Sequence, residues 1–222
     1  MLISHSHKFI FIKTKKTAGS TIESLIVDNF FDPSKDICTG SKIDSTPRIN
    51  IGAKVPGEPD GHKPWNLVKK YVTPVEWTNY FKFTVERNPW DKLVSEFFWR
   101  ISDNKSPDLL RYGNDLDNFR YFINDGLTYR YVPPVDWDLY AAGNKPVVDE
   151  VVQFSHLPQQ LVSMFNSKLH LPLTEEMVTG TRKKSGFRKK HYTEMYIDQQ
   201  LIDRVSSLYS REIKYFNYIF GE

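Results

Sequence analysis

The chain has 222 residues, which is the length of one domain or of one domain with insertions. Its 30 basic and 27 acidic side chains nearly balance, so bulk charge does not indicate a nucleic-acid binder. The single cysteine excludes an intramolecular disulfide and a cysteine-rich metal site, and the lack of any run of about 18 apolar residues excludes a membrane span.

The first half of the chain begins with a pattern of strand, loop and helix. Residues 8–13 (KFIFIK) form a short apolar run that predicts a buried strand, and the residues before it are expected to be loosely ordered. A small, polar loop follows at 14–20, and 21–28 predicts a helix with one apolar face. Residues 31–61 are rich in Gly, Pro, Ser and Asp, which predicts irregular structure with one short strand near 48–51.

The next part of the chain predicts short helices and a second strand. Pro64 suits a helix start, and 73–76 (TPVE) is a capping box with proline in the first turn. Residues 81–85 (FKFTV) predict a strand, after which Pro89 begins a strongly periodic helix that extends to about Ile101.

The last part of the chain predicts two more helices after a mixed segment and a third strand. A helix is expected at 116–124 and a strand at 147–154. Ser155 is expected to cap a helix that ends near residue 166, and a final amphipathic helix is expected at 198–215.

Strands that alternate with helices predict an α/β fold with a central, mainly parallel sheet flanked by helices. In such sheets ligands bind beyond the carboxyl ends of the strands. The loops that follow Lys13 and Val85 both lie there. We expect one domain over 1–222.

The loop at 15–21 (KKTAGST) has the composition of an anion site. Small residues let backbone N–H groups approach an anion, the following helix N-terminus adds partial positive charge, and lysines and hydroxyls complete a cradle for phosphate or sulfate. The loop is not a Walker A motif, because its lysine precedes its glycine. The alternative is an ordinary turn between a strand and a helix.

The second signal is the segment 83–95 (FTVERNPWDKLVS). Arg87 ends a buried strand, where an unpaired charge is expensive, so its guanidinium needs a carboxylate or phosphate partner. Ser95 lies about two turns along the next helix and is well placed to share that partner. The alternative is that Arg87 pairs with Glu86 or Asp91 for a structural reason only.

Together these segments resemble the carbohydrate sulfotransferases that use 3'-phosphoadenosine 5'-phosphosulfate (PAPS), most closely the heparan sulfate 2-O- and chondroitin-type branch. The family motif P-K-T-A-G-T-S corresponds to 15–21, and R-N-P-W-D-R-L-V-S corresponds to 87–95. Residues 61–65 (GHKPW) match the family's histidine segment, and 208–220 resemble its last helix and aromatic tail. The chain departs from the pattern with lysine in place of proline at the first position, an inverted hydroxyl pair, and Glu86 in place of an apolar residue.

The resemblance implies a P-loop-like three-layer fold and specific roles. Residues 102–145, which match the family poorly, would be an insertion on the acceptor side. The 5'-phosphosulfate would be held by Lys15, Lys16, Thr17, Ala18, Gly19, Ser20 and Thr21. The 3'-phosphate would be held by Arg87 and Ser95. A basic segment that contains Ser185, Gly186, Phe187, Arg188 and Lys189 would close over the cofactor.

The same resemblance implies two catalytic residues and no metal. Lys16 would stabilise the charge that develops on the leaving phosphate, and His62 would take the proton of the acceptor hydroxyl. Glu86 remains an alternative base. The product is PAP (adenosine 3',5'-bisphosphate), and no metal is required because the lysine supplies the charge.

Several alternatives stay open on the sequence alone. They are a P-loop-like small-molecule kinase, a PAP-binding module that has lost catalysis and, least favoured, a nucleic-acid binder. The acceptor is expected to be a glycan hydroxyl, and the sequence does not specify the oligomeric state. The N-terminus lacks the features of a secretory signal, so we expect a cytoplasmic protein if the chain is complete.

Overall fold

The computed structural model describes residues 1–38, 61–102, 106–181 and 190–222. In these ranges the strands are β1 (Leu2–Ser4), β2 (Phe9–Ile12), β3 (Ile37–Cys38), β4 (Phe81–Glu86), β5 (Ala141–Ala142), β6 (Lys145–Pro146) and β7 (Glu150–Gln153). The helices are α1 (Gly19–Phe30), α2 (Trp65–Val68), α3 (Pro74–Asn79), α4 (Pro89–Ile101), α5 (Asp115–Tyr121), α6 (Leu127–Tyr129), α7 (Trp137–Tyr140), α8 (Leu157–Met164), α9 (Glu175–Gly180), α10 (Gln199–Leu208) and α11 (Ser210–Phe216).

The chain divides into two compact units. The sheet unit consists of Met1–Glu86 and Asp136–Lys183, and the helical unit consists of Arg87–Val135 and Lys184–Glu222. The expectation of one domain with an insertion at 102–145 stays a prediction.

The sheet unit is built on a sheet with the strand order β3-β1-β2-β4-β7. β2, β4 and β7 run parallel, while β1 is antiparallel to β2 and to β3. A separate ribbon pairs β5 with β6. The predicted α/β fold with a central, mostly parallel sheet flanked by helices is therefore confirmed.

Aromatic side chains fill the core of the sheet unit. Phe11 of β2 stacks on Phe83 of β4 with ring centroids 4.9 Å apart, and Phe165 meets the edges of Phe9 and Phe83. All four residues of β2 are buried, as expected for a central strand of a sheet with both faces covered. This packing holds the ends of β2 and β4 next to each other, with Ile12 paired to Thr84.

The helical unit has its own aromatic core around α4. Asn88 caps α4 by accepting hydrogen bonds from the backbone N–H groups of Trp90 and Asp91, and Pro89 occupies the first turn as predicted. Phe97 of α4 packs edge-on against Phe119. The cap and the proline both fix the start of α4. Residues 87–90 (RNPW) thus form the corner at which this helix begins.

Three expectations about element boundaries were wrong. The N-terminus is not loose, because Leu2–Ser4 is a fully buried strand inside the sheet. Ser155 does not cap α8: His156 occupies the cap position, and the Ser155 hydroxyl lies 3.1 Å from its ring. The final helix is broken at the buried residue Tyr209 into α10 and α11. The strand expected near 48–51 lies outside the described residues.

Candidate functional site

The loop after β2 closes on itself and on the end of β4. The hydroxyl of Thr14 donates to the carbonyl oxygen of Val85 and lies 2.8 Å from the hydroxyl of Thr17, which is also 3.1 Å from the Thr14 carbonyl oxygen. Both threonine side chains are buried. The Thr17 hydroxyl therefore serves the loop itself, and what Thr17 can offer to a bound anion is its backbone N–H group.

Two non-glycine residues of the loop adopt the left-handed backbone conformation. Lys16 has φ of 62° and Ala18 has φ of 60°. Such residues cost on the order of 1–3 kcal/mol each and cluster at functional sites. Ala18 is also the N-cap residue of α1 and makes no side-chain cap bond. The Ala18 side chain therefore does not accept hydrogen bonds from the backbone N–H groups in the first turn of α1. N–H groups at a helix start are donors suited to binding an anion.

Lys13 supports the loop from beneath. Its ammonium group lies 2.5 Å from the carboxylate of Glu23 on α1, and both side chains are almost fully buried. A Cβ atom on Gly19 would come within 2.6 Å of Lys13 Cγ. Gly19 is therefore required by this close approach, and Lys13 fixes the loop to α1 through a buried ion pair.

Asp136 holds the loop from the side. Its carboxylate accepts a hydrogen bond of 2.6 Å from the backbone N–H of Lys15, and the residue is fully buried. Because the Lys15 N–H is used in this bond, Lys15 can contribute to anion binding through its half-buried side chain.

His62 contacts the same residue that supports the loop. Its Nδ1 atom lies 3.1 Å from the Lys13 carbonyl oxygen. A carbonyl oxygen only accepts hydrogen bonds, so this contact assigns the proton to Nδ1 and the lone pair of the neutral ring to Nε2. The next residue, Lys63, is buried, and burial lowers the pKa of its ammonium group.

Glu86 has a structural partner at the end of β4. It is buried, and the hydroxyl of Tyr140 donates to its Oε2 at 3.0 Å. This hydrogen bond gives a physical account of a carboxylate at a position where the resembled family has an apolar residue, because a buried charge is tolerated when hydrogen bonds satisfy it.

In the helical unit, Arg87 pairs with Asp91. The distance from Arg87 Nε to Asp91 Oδ2 is 2.7 Å, and both side chains are largely buried. Asp91, one of the two carboxylates suggested as structural partners of Arg87, therefore forms an ion pair with it. The bond is made through Nε of the guanidinium. Ser95 is half-buried on α4, two turns after Arg87.

The predicted site residues thus fall into three groups. The sheet unit brings the loop at 15–21 and His62 together through Lys13. The helical unit contains Arg87 and Ser95. The residues expected to close over the cofactor, Ser185, Gly186, Phe187, Arg188 and Lys189, lie outside the described residues.

Sequence reasoning missed Lys13 and Asp136. For Lys13 a signal existed, because a lysine ending an otherwise apolar strand needs a carboxylate partner and Glu23 follows ten residues later. Asp136 had no local signal, since its partner Lys15 lies 121 residues away.

In the part of the chain that the structure describes, no group of three or more His, Cys, Asp or Glu residues could hold a metal ion. None of the helices described is long and apolar enough to cross a membrane.

One comparison with known proteins gives a match. A family model described as "Sulfotransferase family" matches residues 1–168, which include the loop, His62 and the RNPW corner. No match was found among the curated proteins or among the solved structures.

Proposed function

The chain belongs to the sulfotransferase family, and from this premise we propose that it transfers the sulfuryl group of PAPS to a hydroxyl group of a carbohydrate acceptor. The observation that carries the proposal is the double role of Lys13. Its side chain fixes the loop at 15–21 to α1, and its carbonyl oxygen orients His62, the histidine predicted from the sequence to be the base. Loop and base are therefore tied to the same residue at the end of β2.

The proposed donor site combines the sequence motifs with this geometry. Backbone N–H groups at the start of α1 and the side chains of Lys15, Lys16, Ser20 and Thr21 bind the 5'-phosphosulfate, with Ala18 and Gly19 permitting the close approach. Arg87 and Ser95 bind the 3'-phosphate. The resemblance of 15–21 and 87–95 to the two family motifs supports these assignments.

The proposed reaction is an in-line displacement at sulfur. The acceptor oxygen forms a bond to sulfur while the bond from sulfur to the bridging phosphate oxygen breaks, and PAP leaves. His62 Nε2 receives the proton of the acceptor hydroxyl, and Lys16 stabilises the negative charge on the departing oxygen. A positioned base contributes about 10²–10⁴-fold and a charge-stabilising donor about 10²–10³-fold in rate.

The test separates binding from chemistry. PAP binding is measured by calorimetry, and transfer is measured with labelled PAPS over a panel of glycan acceptors. His62→Ala should lower kcat by about 10²-fold or more and leave the Kd for PAP within about threefold of wild type. His156→Ala, at an exposed histidine, is the matched control and should retain full activity.

Lys16→Ala should lower kcat and also weaken PAP binding, because the same ammonium group contacts the nucleotide in the ground state. Wild-type protein that turns over ATP but not PAPS would instead indicate a kinase. PAP binding without transfer to any acceptor in the panel would indicate a binding module.

A further inference from the structure

The segment 217–222 follows α11 and docks on the corner where α4 begins. The ring of Phe220 makes three edge-on contacts with other aromatic rings. Its centroid lies 5.6 Å from that of Trp90, 5.7 Å from that of Tyr192 and 5.3 Å from that of Tyr196. The edge-on arrangement is the favourable geometry for aromatic pairs, so Phe220 occupies a fitted aromatic pocket within the helical unit.

Hydrogen bonds fix the backbone of the same segment. The hydroxyl of Tyr192 accepts from the N–H of Gly221 at 2.8 Å and donates to the backbone oxygen of Glu222 at 3.2 Å. The side-chain amide of Asn88 donates to the backbone oxygens of Ile219 and Glu222 at 3.4 and 3.3 Å. The segment is thus held on both sides of Phe220.

Asn88 connects this docked segment to Arg87. While its amide nitrogen faces 217–222, its amide oxygen accepts from the N–H of Trp90 at 3.1 Å and from the N–H of Asp91 at 3.4 Å. The carboxylate of Asp91 in turn binds Arg87 Nε at 2.7 Å. A continuous set of contacts therefore runs from the docked segment to the guanidinium.

We propose that Phe220 is a positioning residue for binding of the cofactor's 3'-phosphate, because its docking fixes the Asn88 cap and, through Asp91, the orientation of Arg87. The inference rests on the proposed function, in which Arg87 binds that phosphate. When Phe220 is not docked, Asn88 loses two hydrogen-bond acceptors and residues 87–90 sample more conformations. Part of the binding free energy is then spent on ordering Arg87, so the 3'-phosphate binds more weakly.

The experiment compares two nucleotides that differ only in the 3'-phosphate, PAP and AMP. Phe220→Ala should weaken PAP binding by about tenfold in calorimetry while the Kd for AMP changes by less than about twofold. In steady-state assays the KM for PAPS should rise with kcat nearly unchanged. Ile219→Ala is the matched control, since that neighbouring side chain is exposed, and it should bind both nucleotides as wild type does.

Phe220→Leu keeps apolar bulk in the pocket and should give a smaller loss, which guards against a variant that fails to fold. An equal loss of affinity for PAP and AMP, or an unchanged preference for PAP in Phe220→Ala, would overturn the inference and leave the proposed function standing. Wild-type protein that binds neither nucleotide would instead overturn the proposed function, and the inference with it.

Discussion

Replacing Gly19 by alanine tests whether the loop is shaped by its contact with Lys13. The added Cβ would lie 2.6 Å from Lys13 Cγ and 3.1 Å from Cε, and the lysine cannot swing aside because its ammonium group is bound to buried Glu23. Overpacking of this kind costs about 1–3 kcal/mol, whereas alanine in place of glycine gains about 0.5–1 kcal/mol in a helix. The expected net result is a loss of about 1–2 kcal/mol of unfolding free energy.

Thermal unfolding and PAP calorimetry measure the two consequences of Gly19→Ala. A loss of about 1–2 kcal/mol should lower Tm by roughly 2–8 °C, and PAP binding should weaken because the loop must shift. Gly180→Ala is the matched control: it also lies in a helix of the sheet unit, and among the described residues no atom outside its own helix backbone and chain neighbours lies within 4 Å of the added carbon. It should be neutral or stabilising. A Gly19→Ala protein as stable as Gly180→Ala, with unchanged PAP affinity, would refute the reasoning.

Two further predictions concern ion pairs. Lys13→Met should lower the unfolding free energy in urea titrations by about 2–4 kcal/mol. The loss is below that of a wholly uncompensated buried charge, because the Met1 ammonium group stays 3.6 Å from the Glu23 carboxylate. A loss below about 1 kcal/mol would contradict the role given to the pair. In the helical unit, the hydrogen bond from Arg120 lowers the pKa of Asp198. This pair therefore stabilises the fold at pH values above the unfolded-state pKa of the carboxyl group, about 3.9. The stabilisation is lost as the pH falls through the lower pKa of the folded state. Asp198→Asn retains the oxygen that caps α10, so it should be less stable than wild type at pH 7 by a small amount that shrinks below about pH 4; a difference that grows towards acid pH would contradict this assignment.

The elements that the sequence predicted well are those set by neighbouring residues. The capping box at the start of α3 forms as predicted, with Thr73 and Glu76 bonded reciprocally. Pro89 starts α4, and the apolar run before the loop becomes β2. In each of these the decisive interaction spans four residues or fewer, or depends on a local apolar pattern, so it can be read from a short stretch of chain.

The missed elements depend on distant partners. A strand of three residues such as β1 has no measurable periodicity, and it exists because it pairs with β2 and with Ile37–Cys38. The break at Tyr209 was missed for a different reason. That residue is buried and continues the apolar pattern of α10 into α11, so the periodicity does not reveal where the helix is interrupted.

The candidate site divides in the same way. The loop at 15–21 and His62 were predicted as site residues through motifs, which specify the residues expected to face a ligand. The contacts of Asp136 and Phe220 were not found, because each connects parts of the chain whose proximity arises only in the fold, whereas the pairing of Lys13 with Glu23 had a signal in the sequence. Packing and hydrogen-bond contacts of this kind leave little trace in residue type alone.

The bond between Asp136 and the backbone of Lys15 has a consequence for protein engineering. A chimeric enzyme made by exchanging the region after residue 135 with that of a relative would replace Asp136, one of the residues that hold the loop after β2, even though the loop sequence itself stayed intact. Such exchanges should therefore retain an aspartate at position 136, or begin after it, if the backbone of the loop is to keep its position.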